Sequence, residues 1–145
     1  MIEIKDLSFS YSDRLILDKI SFELKQGLTL AVLGNNGAGK STMIKCINKI
    51  LKPKEGAVYI DFKDLSEHDS TSLAKQMAYV AQKNEISDCT VYDAVLLGRK
   101  PYIKWKVTEN DHKAVKRAIE TMELQAFEMR NISELSGGEL QKVML

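Results

Sequence analysis

The segment Gly34-Asn35-Asn36-Gly37-Ala38-Gly39-Lys40-Ser41-Thr42 fits the pattern G-x-x-x-x-G-K-[ST] at every fixed position. Each fixed position answers a chemical need. Glycines let the backbone wrap closely and turn several N–H groups toward one phosphate. Lys40 would reach the β- and γ-phosphates of a nucleotide, and the Ser41 hydroxyl would hold Mg²⁺. A helix opening at the end of the loop aims its positive end at the same anion.

A second constellation lies near the other end of the chain. Leu135-Ser136-Gly137-Gly138-Glu139-Leu140-Gln141 runs into Lys142-Val143-Met144-Leu145, which reads as the start of a helix. Ser136 is a good N-cap, and the two glycines leave backbone N–H groups uncovered. Two readings follow: a second anion site without a lysine of its own, or an ordinary capped helix preceded by a glycine turn.

The elements around these motifs are of three kinds. Ile2-Glu3-Ile4, Ile20–Leu24 and Val58-Tyr59-Ile60-Asp61-Phe62 alternate apolar and polar residues, the period of half-buried strands in a small antiparallel sheet. Leu28–Leu33 is apolar almost throughout and runs straight into Gly34, as a parallel strand buried on both faces would. Met77–Ala81 reads as another buried strand. Met43, Ile44, Ile47, Ile50 and Leu51 recur at helical spacing, with Pro53 expected to end that helix. Beyond a polar stretch at Asn84–Thr90 the pattern turns helical. Val91–Leu97 begins one helix, and Thr108–Asp111 resembles a capping box ahead of Val115, Ile119 and Met122.

Composition narrows the classes. A formal net charge of +1 gives no bulk attraction to nucleic acid, and no run reaches the ~18 apolar residues of a membrane span. Charges within Met1–Asp6 are unlike a signal peptide, so a cytoplasmic location is expected. Cys46 and Cys89 are far apart and read as reduced thiols, and His68 and His112 read as surface residues.

Together the two motifs resemble the ABC ATPase family. The first matches its Walker A loop and the second its signature sequence, with Glu139 where Gln is more frequent. The resemblance runs from end to end of the chain. It implies an α/β P-loop NTPase fold of ABC type: a small antiparallel β part, a RecA-like parallel-sheet core, and a helical subdomain. Residues 1–85 would form the β part and Walker A core, 86–134 the helical subdomain, and 135–145 the signature and its helix. The resemblance further implies that ATP and Mg²⁺ are bound, with Tyr11 stacking on adenine and Gln82 touching Mg²⁺ and the attacking water. It implies partners as well. In the family two ATPase domains pack head to tail, so Ser136, Gly137, Gly138 and Glu139 would act in trans on the partner's nucleotide. Integral-membrane permease subunits would bind the pair, and a solute-binding protein would act indirectly. The protein would then sit peripherally on the cytoplasmic face of the membrane. Leu96–Arg99 followed by Pro101 resembles the importers of iron–siderophore complexes, haem and cobalamin. Tyr102 and Trp105 among four cations could belong to the groove that grips a helix of the permease, or to a solvated basic loop.

The family's next elements are an apolar strand ending in Asp-Glu, a D-loop and a switch histidine. None follows the signature within these 145 residues. The chain is therefore expected to be an N-terminal portion, with the C-terminal part of the core absent. Alone it is expected to bind nucleotide weakly and to hydrolyse it negligibly, because loss of a general base typically costs ~10²–10⁴ in rate. Two rivals share the motifs: a naturally short, non-catalytic protein that binds ATP or a partner, and a soluble ABC ATPase of translation or DNA repair. The interval Lys83–Glu134 carries no sustained heptads, unlike the coiled-coil insertion of the repair enzymes.

Overall fold

The computed structural model describes residues 1–81 and 88–145, which divide into two compact units, Met1–Leu73 and Ala74–Leu145. In the first unit, β1 (Ile2–Tyr11) and β2 (Arg14–Leu24) form an antiparallel hairpin whose register runs from Ile2↔Leu24 to Tyr11↔Arg14. The other edge of β1 pairs antiparallel with β3 (Glu55–Ile60), which turns into the short β4 (Lys63–Asp64). The sheet order is β2-β1-β3-β4. Of the alternating residues, Ile4, Val58 and Ile60 are buried and Ile2, Ile20, Phe22 and Leu24 half-buried, as expected of an antiparallel sheet with one wet face; Leu7, Phe9 and Leu17 extend the buried set. Phe62 departs from the pattern: it lies in the β3–β4 turn with φ 67° and is exposed.

The pairing of β1 with β3 shifts register between Lys5 and Ser8. At that irregularity Gly56 adopts φ +84°, and a Cβ there would overlap the backbone of Lys5 and Asp6. Only glycine allows the two strands to approach so closely. Two serines take up backbone donors beside it: the Asp6 N–H donates to Ser21 Oγ at 2.8 Å and the Lys19 N–H to Ser8 Oγ at 3.0 Å.

Helix α1 (Lys40–Ile47) follows the glycine-rich loop and buries Thr42, Met43 and Cys46. It ends well before Pro53. Lys49 takes a left-handed conformation (φ 59°), and the amides of Ile50 and Leu51 fold back onto the Lys45 carbonyl, which closes the helix locally. Ile50, beyond that stop, is exposed, and so is Ile44 on α1 itself, so these residues do not form one buried stripe. His68, expected at the surface, is only 9% exposed. A turn at Leu65–Glu67, capped by Asp64, folds it inward, and Lys49 Nζ donates to its carbonyl oxygen. Helix α2 (Ser70–Gln76) follows.

Leu28–Leu33 and Met77–Ala81 lie outside any helix or ladder among the described residues. Leu28, Leu30 and Leu33 are exposed. A strand meant to be covered on both faces owes its hydrogen bonds to neighbouring strands, and no described residue supplies them.

In the second unit, α3 (Val91–Leu97), α4 (Glu109–Thr121) and α5 (Gly137–Met144) surround a core of Val91, Val115, Ile119, Leu124 and Ile132. The predicted capping box is present: the Thr108 N–H and hydroxyl both donate to the Asp111 carboxylate, at 3.0 and 2.6 Å. Asp111 is itself buried and receives the Arg99 guanidinium at 3.1 Å. The Val91 N–H donates to the Arg130 carbonyl and the Ile132 N–H to that of Cys89, so residues 130–132 are stitched to the start of α3. His112 is exposed and its ring meets the Tyr92 hydroxyl. No helix among the described residues is long and apolar enough to cross a membrane.

Candidate functional site

The glycine-rich loop is seated on the β1–β2 hairpin. Gly39, the N-cap of α1, has φ 88° and ψ 2°. A Cβ on Gly39 would stand 2.9 Å from Leu17 Cδ2 and 3.1 Å from the Ile16 carbonyl oxygen, both on β2. Glycine is thus required twice over, for its left-handed backbone and for its close approach to the strand. Leu17 pairs with Phe9 and Arg14 with Tyr11, so the strand that seats the loop is bonded to the strand that carries Tyr11. The Tyr11 ring is 49% exposed and rests edge-on against Phe9, with centroids 4.9 Å apart. That arrangement leaves a free aromatic face beside the sheet.

Gly39 offers no side chain to cap α1, and the first turn holds no acidic residue. The first-turn N–H groups are therefore open to an external anion. Lys40 Nζ donates to the carbonyl oxygens of Gly34 (2.7 Å) and Asn35 (2.8 Å). The loop closes on itself through the Ala38 N–H, which donates to the Asn35 carbonyl at 3.2 Å. Ser41 is exposed on the first turn, whereas Thr42 is buried. Asn36, Gly37 and Ala38 complete an exposed rim, and Gly37 has open space around it. This donor set fits a polyphosphate: a cation, uncovered amides, and a hydroxyl suited to a hard metal ion. Gln82 lies outside the described residues.

In the second unit Ser136 caps α5. The Ser136 N–H and hydroxyl each donate to Glu139 Oε2 at 2.7 Å, and the Glu139 N–H donates to Ser136 Oγ at 3.4 Å. Those bonds to Ser136 hold the Glu139 carboxyl below the usual range. Ser136-x-x-Glu139 is a capping box, a signal the sequence carries but the motif reading passed over. Apart from their own helix, no described residue comes within 4 Å of where a Cβ on Gly137 or Gly138 would be. The seat of the loop on Ile16 and Leu17 and the Arg99–Asp111 pair are further contacts that sequence spacing does not announce.

Residues 17–145 match the model of the family described as ABC transporter. Over 145 residues the chain is 48% identical to an uncharacterised ABC transporter ATP-binding protein of Methanocaldococcus jannaschii, covering all of this chain and 57% of that one. It is 32% identical over 146 residues to the petrobactin import ATP-binding protein YclP of Bacillus subtilis, covering all of this chain and 58% of the relative. Among solved structures it superposes with a TM-score of 0.81, at 26% identity, on a dimeric ATP-binding cassette in a post-hydrolysis state bound to ADP and Pi, covering 99% of this chain and 67% of that one. The chain spans somewhat more than half the length of these curated relatives. A family model matched from Leu17 to Leu145, on a fold shared with solved cassettes, means that the chain belongs to the ABC transporter family.

Proposed function

We propose that the protein carrying this chain is the ATP-binding subunit of an ABC importer, coupling ATP binding and hydrolysis to uptake of an iron chelate, another metal chelate or a cobalamin-type solute. The observation that carries the reading is the Lys40 ammonium held inside the Gly34–Thr42 loop, above a helix start that no side chain caps. The petrobactin importer named among the relatives favours the chelate class.

On this reading Lys40 exchanges the Gly34 and Asn35 carbonyls for the β- and γ-phosphate oxygens of ATP. The amides of Gly37–Thr42 take the remaining phosphate charge, and Tyr11 offers its exposed face to adenine. Bound Mg²⁺ would neutralise charge between the phosphates, with Ser41 and Gln82 as its protein contacts. Ser136, Gly137, Gly138 and Glu139 would present their open helix start to the nucleotide of a second subunit. The dimeric state of the solved cassette bound to ADP and Pi supports the pairing of two subunits. Permease subunits would hold the pair at the cytoplasmic face of the membrane, with a solute-binding protein acting on the far side. The 145 residues alone are proposed to bind nucleotide without turnover, since they hold no Asp-Glu strand after the signature helix.

The test is binding of a fluorescent ATP analogue to the protein and to its Lys40→Ala variant, together with phosphate release. Saturable binding that the substitution weakens is the expected result. Equal binding by both proteins would remove the reading.

A further inference from the structure

We propose that the Arg99–Val107 loop is a membrane-contacting tip that seats Trp105 in the headgroup region of an anionic lipid surface. Trp105 is the single tryptophan of the 145 residues and is 97% exposed. An indole left in water exposes a large apolar area, and its amphipathic ring partitions to lipid–water interfaces. It does not stand alone: Leu97, Tyr102 and Val107 are also exposed.

The charge around it is of one sign. From Leu97 to Thr108 there is no acidic residue, while Lys100, Lys104 and Lys106 are exposed and form no ion pair among the described residues. Only Arg99 is turned inward. It pairs with the buried Asp111 and lies over the Tyr102 ring, 4.1 Å from its centroid. The Tyr102 N–H donates to the Arg99 carbonyl at 2.8 Å. The base of the loop is thus fastened by internal contacts, and the Lys104-Trp105-Lys106 tip projects. Lysine stems can lie along an apolar boundary with their ammonium groups among phosphates, on either side of an inserted indole.

An anionic headgroup plane suits both halves of this pattern. Three ammonium groups that form no ion pair among the described residues, beside an exposed indole, match a surface that is anionic at its phosphates and apolar just beneath. The inference is independent of nucleotide chemistry, and the contact needs no ATP.

The experiment uses the intact protein with phosphatidylcholine vesicles, with or without an equal part of phosphatidylglycerol, read by co-sedimentation and by the emission lost in Trp105→Phe. The expected result is partition to the anionic vesicles, a blue shift of the Trp105-dependent emission, and loss of both in high salt. Lys104→Glu with Lys106→Glu should reduce partition by more than the about fivefold expected for one lysine at such a surface. Trp105→Ala should weaken it while circular dichroism stays unchanged. No partition, or partition that neither set of substitutions alters, overturns the proposal. So does an emission that ignores vesicles and shifts only with permease subunits in detergent, which would assign the face to a protein partner.

Discussion

Lys40 Nζ lies 2.7 Å from the carbonyl oxygen of Gly34, so the loop's only cation is bonded to the loop's own first residue. Its second bond goes to Asn35, and both acceptors are exposed. Water can replace Lys40 at those carbonyls at little cost, whereas a phosphate would lose a charge-assisted bond. Lys40→Ala is therefore expected to leave the melting temperature nearly unchanged and to weaken nucleotide binding by about tenfold or more, the equivalent of ~1.5–3 kcal/mol. Calorimetric titration and thermal melts of the same samples check both halves.

The two glycines of the loop's second half should respond differently to one methyl group. Both have left-handed backbones, but a Cβ at Gly39 meets Leu17 and Ile16 whereas one at Gly37 meets nothing within 4 Å. Gly37→Ala should cost about 1–2 kcal/mol, the backbone penalty alone. Gly39→Ala should cost more than that, with a further loss from displacing β2. Urea unfolding of the pair measures the difference, and equal costs would mean that the loop is not seated on the strand.

Asp111 is expected to make the second unit acid-sensitive. Bonds from Thr108, assisted by Arg99, hold its carboxyl below the usual range near 3.9. A carboxyl lowered on folding contributes stability that is present above its unfolded value and is lost as pH falls through its folded value. Asp111→Asn should lower stability at neutral pH and flatten the acid limb of the stability curve below about pH 4. Melts of wild type and variant across that range test the sign.

Glu139 stands where the family more often has Gln, and the capping box explains why either serves. Both side chains can accept the Ser136 N–H. Glu139→Gln keeps the acceptor and loses only the charge, so it should cost less at pH 7 than Ser136→Ala, which should cost about 1 kcal/mol through the lost cap. Chemical unfolding of the two variants checks the order.

What the sequence could show was whatever depends on near neighbours. The glycine-rich loop, the box at Thr108 and Asp111, and the alternation of β1, β2 and β3 each fit within a few residues or one period. Leu28–Leu33 and Met77–Ala81 were legible as apolar segments but not as paired strands, because pairing requires a neighbour that no local pattern supplies. The burial of His68 depends on a turn capped by Asp64 and on Lys49 reaching across nineteen positions. The left-handed stop at Lys49 was likewise hidden behind the more conspicuous Pro53. For the candidate site, the motif was readable from residue types, while the surface that seats the loop was not.

The contact between Gly39 and Leu17 makes the β1–β2 hairpin a ruler for the site. Phe9 opposite Leu17 and Tyr11 opposite Arg14 fix how far the aromatic ring stands from the loop, with Ser12 and Asp13 alone forming the bend. Sliding β1 by a single residue would turn Tyr11 to the opposite face with the loop still on Leu17, whereas sliding β2 would carry Leu17 away from Gly39. An added residue at the bend leaves the ruler intact, whereas one added between Arg14 and Leu17 changes its length. Distance between the Tyr11 ring and the glycine-rich loop is thus written in the count of residues on a strand that supplies no candidate site residue of its own.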